Sequence, residues 1–214
     1  MRVRGGWWIE AALAAAFVAI TAALAAGLTD PDLAVRDWCD AHRPAALDNL
    51  ARAANYLGQG GVLTVVAGVL ALVVCWRTRT VRPLSPVVTA FVFTTATVLP
   101  LKWWTDRAAP SSTLPDAVEL FNNLPPGEYA ESYPAGHLVV AIVWYGVIVV
   151  LLEALVHLPR WLHVTIRVAP PAILLVSTTY LSFHWLTDGL AGICLGLLLD
   201  RLVWRIPWNR ALLS

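Results

Sequence analysis

Six apolar stretches divide this sequence, and each approaches the roughly 20 residues that a helix needs to cross the hydrocarbon core of a bilayer. They span residues 7–27, 61–76, 84–104, 138–156, 164–181 and 185–204. The second is short, and the fifth contains Pro170-Pro171, which is expected to kink or break its early turns. Only 14% of the 214 residues are charged while 58% are hydrophobic, whereas an average soluble domain is about 25% charged. So few charges cannot cover a water-exposed surface, but lipid-facing helices require their absence. The expected fold is therefore all-α: an integral membrane bundle of six transmembrane helices forming one domain over residues 1–214. A net charge of +1 gives no indication of a nucleic-acid partner. Cys39, Cys75 and Cys194 have no metal or redox spacing and receive no role.

The first stretch follows Met1-Arg-Val-Arg and resembles a signal peptide, yet its apolar run exceeds a usual signal core, so we read it as a retained helix. Charge asymmetry orients the bundle. With the N-terminus inside, the inner side holds Arg2, Arg4, Arg77, Arg79, Arg82, Arg160, Arg167, Arg201, Arg205 and Arg210. The outer side holds Arg36, Arg43, Arg52, Lys102 and Arg107 among most of the acids, including Asp32, Asp37, Asp40 and Glu128. Both termini are thus expected in the cytoplasm, and the alanine- and arginine-rich usage suggests a bacterial cytoplasmic membrane. The first outer loop, 29–60, has the amphipathic pattern of a helix lying in the interface, and the second, 105–136, is rich in Pro, Asn, Ser and Gly.

Three polar groupings fall at helix ends on the expected outer side. They are Lys102 to Pro110, then Pro134-Ala135-Gly136-His137, then Ser177 to Asp188. His184 and Asp188 are four apart, which on a helix puts them on one face. There the carboxylate can accept a proton from one imidazole nitrogen and leave the other free to attack an electrophile. Gly136 and His137 open a helix, whose exposed N–H groups attract anions. Lys102 and Arg107 add positive charge on that side. Two histidines, an aspartate and a cationic surface suit phosphoryl transfer through a phosphohistidine. Each grouping also has a structural explanation. Lys102 and Arg107 can snorkel beside Trp103 and Trp104, Gly136-His137 can be a plain helix start, and His184–Asp188 can tie helices together. His42, His157 and His163 stand apart from these groupings and receive no role.

In order, spacing and placement the three groupings resemble the signature motifs of the type-2 phosphatidic acid phosphatase family, relatives of the vanadium haloperoxidases. That pattern reads KxxxxxxRP, PSGH and SRxxxxxHxxxD. The resemblance implies a helical membrane bundle with its active site near the outer surface. It implies His184 as nucleophile, Asp188 as its orienting partner, His137 as general acid and Lys102 as a phosphate ligand, without metal or cofactor. This chain departs from the pattern at three positions. Ala109 stands for the first arginine, Ala135 for the serine and Thr178 for the second arginine, after a retained Ser177. Arg107, Gly136, Ser177 and Thr178 are therefore the remaining candidates to hold the phosphate.

The function implied is a membrane lipid-phosphate phosphatase or phosphotransferase acting on a lipid phosphate or prenyl (di)phosphate, with the bilayer as its other partner. Two alternatives arise from the departures. One is a catalytically altered pseudo-phosphatase that binds lipid. The other is non-hydrolytic chemistry on a prenyl diphosphate, with Trp103, Trp104, Trp144 and Trp185 offering π-faces to a cation and Asp106 a carboxylate for a metal.

Overall fold

Apolar segments in lipid have no water to satisfy their peptide groups, and the helix does so within the segment. The structure, a computed structural model, describes residues 6–114, 116–121 and 131–206. Arg2, Arg4, Glu128 and Arg210, which entered the orientation argument, lie outside these. The described residues form eight helices and no strand: α1 (Trp8–Ala25), α2 (Asp30–Ala41), α3 (Ala45–Asn55), α4 (Gly60–Thr78), α5 (Leu84–Thr105), α6 (Gly136–Glu153), α7 (Arg160–Tyr180) and α8 (Leu186–Arg205). A 3₁₀ turn, Tyr56–Gly58, joins α3 to α4.

Five helices, α1, α4, α5, α6 and α7, are long and apolar enough to cross a membrane. The sixth expected span is α8. Its 20 residues give it spanning length, but Asp188, Asp200, Arg201 and Arg205 make it too charged to qualify on composition. Those charges are compensated inside the bundle. Arg107 pairs with Asp188, Arg167 with Asp200 at 2.5 Å, and Arg201 and Arg205 both reach Glu10 of α1. Acid at the start and arginine at the end of α8 also match its dipole. The first long loop holds two short helices. α2 and α3 run 12 and 11 residues, too short to span, and α3 is amphipathic, as an interfacial helix should be.

Pro170-Pro171 does not break the fifth stretch: α7 is continuous from Arg160 to Tyr180. In lipid, breaking the helix would strand more carbonyls than the two missing N–H donors do.

The centre of the bundle is α6, 61% buried where α1 is 11% buried. It packs against α4, α5, α7 and above all α8. The α6–α8 contact is close because α8 presents glycines. A Cβ on Gly192 would stand 2.8 Å from the carbonyl oxygen of Ala135, and one on Gly196 would stand 2.9 Å from Ile142. Small residues let helix backbones approach in membranes, where packing rather than hydrophobicity drives association. Val139, Val143, Trp144 and Val147 of α6 fill the core together with Leu195, Leu199 and Val203 of α8.

Gly192→Ala must push a backbone carbonyl, which cannot swing aside. It is expected to cost about 1–3 kcal/mol, read as a lowered thermal midpoint in detergent. Gly68→Ala, on an α4 face with nothing within 4 Å of the new methyl, should leave that midpoint unchanged or raised.

Candidate active site

The end of α5, the start of α6 and the α7–α8 turn converge at one end of the bundle, beneath α2 and α3. Each is held by local geometry that the sequence explains. α5 stops at Asp106, which takes the left-handed conformation (φ 45°) that short polar side chains tolerate. The chain then turns inward, so that Arg107 is completely buried. α7 ends as Leu181 N bonds Ser177 O, and Phe183 N and His184 N both donate to Thr178 O. Ser182 occupies the left-handed region in this turn (φ 56°). Its hydroxyl donates to Asp40 of α2 at 3.0 Å and accepts from Arg43 at 2.6 Å, anchoring the turn to the surface helices.

His184 comes next in the chain and is 5% exposed. Asp188, fully buried in the first turn of α8, accepts from Trp185 N at 2.9 Å, from Arg107 Nη1 at 2.5 Å and from Ser132 Oγ at 2.5 Å. His184 Nδ1 lies 3.7 Å from Asp188 Oδ2 and 3.3 Å from Ser132 Oγ. The serine hydroxyl thus stands beside the His–Asp pair and can relay the imidazole's N–H to the carboxylate. The His137 ring lies edge-on to that of His184, with centroids 5.8 Å apart. His137 occupies the first turn of α6, whose start is fixed by Ala135 N donating to Asp188 O at 3.0 Å. Lys102 lies against this helix start. Its ammonium donates to the Glu131 carbonyl, and its Cε stands 3.3 Å from where a Cβ on Gly136 would be. Gly58 closes over the cluster so tightly that a Cβ there would stand 3.0 Å from His137 Cβ.

Five of the expected residues, Lys102, Gly136, His137, His184 and Asp188, therefore meet. The other three are oriented differently from the expectation that they hold a phosphate. Arg107 donates from Nε to Val118 O, from Nη1 to Thr187 Oγ1 and Asp188, and from Nη2 to Asp32, so its guanidinium is taken up by protein acceptors behind Asp188. Thr178, fully buried, donates its hydroxyl to Leu174 O at 2.7 Å. Ser177 donates to the same carbonyl at 3.4 Å, as hydroxyls in helices do when no better acceptor is near. The four tryptophans considered for a cation do not converge. Trp144 is in the core, Trp103 and Trp104 are 68% and 62% exposed, and Trp185 lies buried between Arg107 and Arg36. Among the described residues, no three His, Cys, Asp or Glu side chains are grouped to hold a metal ion.

Two residues of this cluster escape a reading of the sequence, Ser132 and Asp32. Ser132 lies two positions before Pro134, outside the motif. Asp32 is far away in sequence, in a loop helix. An Asp at the start of an amphipathic segment carries no signal of burial, although its neighbour Leu33 packs beside Trp185. Behind the site, the Tyr133 phenol bonds Thr21 of α1 at 2.7 Å, and burial pushes it up to about 12, so it stays protonated at any ordinary pH.

The class of protein these features define is a membrane-embedded helical bundle with a histidine pair and a buried aspartate at one end. The PAP2 superfamily model matches residues 83–212, and the chain belongs to that family. Its fold is similar to that of a solved transmembrane PAP2-type phosphatidylglycerolphosphate phosphatase from Bacillus subtilis. The TM-score is 0.73 at 24% identity, over 92% of this chain and 94% of the other. No curated protein sequence matches it.

Removing the Ser132 hydroxyl takes a donor from a buried carboxylate. Ser132→Ala should therefore lose about 1–3 kcal/mol, measured as a drop in the unfolding midpoint. Ser182→Ala, whose hydroxyl is buried but whose partners Arg43 and Asp40 reach water, should lose less.

Proposed function

We propose that this chain is a membrane lipid-phosphate phosphatase or phosphotransferase in which His184 is the nucleophile, oriented by Asp188, and His137 is the general acid. The observation that carries the reading is the pair of histidines 5.8 Å apart, one backed by a buried carboxylate and the other at a helix N-terminus. In the first step the lone pair of His184 Nε2 forms a bond to phosphorus as the bond to the leaving oxygen breaks. That oxygen takes a proton from His137. The Nδ1 proton remains on His184, directed at Ser132 and Asp188, so the phosphorylated ring is cationic and stabilised by the carboxylate. In the second step water loses a proton to His137 and attacks phosphorus, the P–N bond breaks, and inorganic phosphate leaves. A second alcohol in place of water makes the enzyme a transferase.

The phosphate oxygens would rest against Lys102 and the first N–H groups of α6, an anion site by helix geometry. With Ala109 and Thr178 in place of arginines, and Arg107 committed elsewhere, the transition state has fewer charge-assisted donors than the family pattern provides. Arginines in such roles can be worth about three orders of magnitude or more, so turnover is expected to be slow. An apolar groove of about 600 Å³ lies between α3 and α7, lined by Trp38, Leu50, Ala54, Ile173, Val176 and Tyr180. Its lining runs to Tyr180, the last residue of α7, and suits a lipid chain. Phosphatidylglycerol phosphate, the substrate named for the Bacillus subtilis relative, is accordingly one candidate beside phosphatidate and undecaprenyl diphosphate. The same reading treats residues 1–214 as one domain in a bacterial cytoplasmic membrane, with both termini inside and the site facing out.

The test is phosphate release by detergent-purified protein from these three lipids. The wild type is expected to release phosphate from at least one, and His184→Ala to fall to the level of a protein-free control. Release that survives His184→Ala rules the mechanism out. His137→Gln should slow the first step on a lipid alcohol, read as the pre-steady-state burst of alcohol release, by about 100- to 10,000-fold. It should spare the burst of nitrophenol from a nitrophenyl phosphate, whose leaving group needs no proton. Steady-state turnover of both should fall, because His137 also takes the proton from water in the second step. Equal slowing of the two bursts would remove His137 from the role of acid.

A further inference from the structure

With His184 as the nucleophile, the reading on which the role of these residues rests, phosphoryl transfer still gives no task to Arg107 or Asp32, although both are completely enclosed. Arg107 Nη1 meets Asp188 at 2.5 Å and Arg107 Nη2 meets Asp32 at 2.7 Å, and all three side chains are 0% exposed. They come from three separate parts of the chain: Asp32 from α2, Arg107 from the segment after α5, Asp188 from α8. Asp32 also reaches α8 directly. It accepts from Thr187 N at 2.9 Å and from Thr187 Oγ1 at 2.5 Å, so a distant helix caps the start of α8. Trp185 seals the cluster, its ring 5.3 Å from the Arg107 guanidinium and its Nε1 donating to Ala108 O.

The charges decide what this arrangement does. A carboxylate paired one-to-one with a guanidinium is nearly neutral to its surroundings, and such an Asp188 would give little support to a ring that turns cationic on phosphorylation. In a buried site, fixed charges aimed at a developing charge are worth far more than in water. In this cluster one guanidinium lies between two carboxylates, which leaves one negative charge uncompensated, and His184 Nδ1 is 3.7 Å from Asp188 Oδ2.

We propose that Asp32 and Arg107 are positioning residues: Arg107 fixes the Asp188 carboxylate, and Asp32 offsets the arginine's charge so that Asp188 still presents a negative charge to His184. The arginine nearest the family's first-motif position thus acts behind the nucleophile rather than on the phosphate.

The experiment compares wild type, Asp32→Asn, and the double variant Asp32→Asn with Arg107→Gln. Two quantities are measured on each: kcat and KM for phosphatidate in detergent micelles, and calorimetric affinity for orthovanadate, a mimic of the phosphoryl group. Asp32→Asn leaves the cluster neutral, and kcat is expected to fall roughly 100-fold with KM little changed and vanadate affinity reduced in parallel. The double variant removes both outer charges and returns the net negative charge to Asp188, so kcat should recover by about tenfold or more over the single variant. A purely structural role predicts the reverse, since the second substitution removes further contacts. Wild-type kcat and vanadate affinity in Asp32→Asn overturn the proposal, as does a double variant no better than the single. If Asp32→Asn does not fold, the double variant, which buries neutral amides, is compared with wild type. Turnover lowered by the loss of the Arg107 hold but still above that of His184→Ala supports the proposal, and wild-type turnover or a loss equal to that of His184→Ala overturns it. A wild type that releases no phosphate but binds vanadate through His184 refutes the phosphatase reading, and vanadate affinities then decide the role of Asp32. A wild type that does neither overturns both.

Discussion

The geometry of this protein depends on how closely α6 and α8 approach one another. Gly192 lies against the carbonyl oxygen of Ala135, and Ala135 N in turn donates to Asp188 O. This contact sets the distance between the helix that carries His137 and the helix that carries Asp188. With any side chain at Gly192 the two backbones would part, and the histidines would separate with them. A lipid environment makes the constraint stricter, because helix association there rests on packing with no hydrophobic drive to compensate for a poor fit. Gly58 applies the same logic from above, where the 3₁₀ turn after α3 rests on His137.

Charge is the second organising constraint. α8 holds two acids and two arginines within 20 residues, a composition that would be costly in lipid. Each of them finds a partner on another helix or segment: Glu10 of α1, Arg167 of α7, Arg107 after α5. The ion pairs at the two ends of α8 thus act as locks that fix its rotation and depth in the bundle. Asp200 is further held by Trp204 Nε1 at 3.0 Å, so the same helix carries a second buried pair far from the histidines.

Much of this is legible in the sequence, and the features that are not share a cause. The spans, an interfacial helix in the first outer loop (where the structure has two, α2 and α3) and the meeting of Lys102, His137, His184 and Asp188 come from hydropathy and from motif order, which are local properties. The fate of Arg107 is not legible, because its partners Asp32, Val118 and Thr187 belong to distant segments brought together only by the packed bundle. Ser132 is hidden in the same way. The position that the family fills with serine holds Ala135, and nothing in residues 131–133 indicates that a hydroxyl there reaches Asp188. Of the kink or break expected at Pro170-Pro171, the break does not occur, because propensity measured in water overstates the freedom to unwind in a membrane.

Asp32 and Arg107 also constrain the history of the chain. Losing Arg107 alone would leave two buried carboxylates without their cation, at a cost of about 3–5 kcal/mol, a large fraction of the stability of most folds. Losing Asp32 alone would free Thr187 N and Oγ1 and neutralise the cluster around Asp188. Neutral drift at one position is therefore closed unless the other changes with it. Related chains should keep the acid on the surface helix and the arginine after the third span together, or have neither. A lineage that moved its arginine from the first-motif position to one behind Asp188 would have had to recruit the surface helix in the same period. The two positions, 75 residues apart in the chain, would then be inherited as one character.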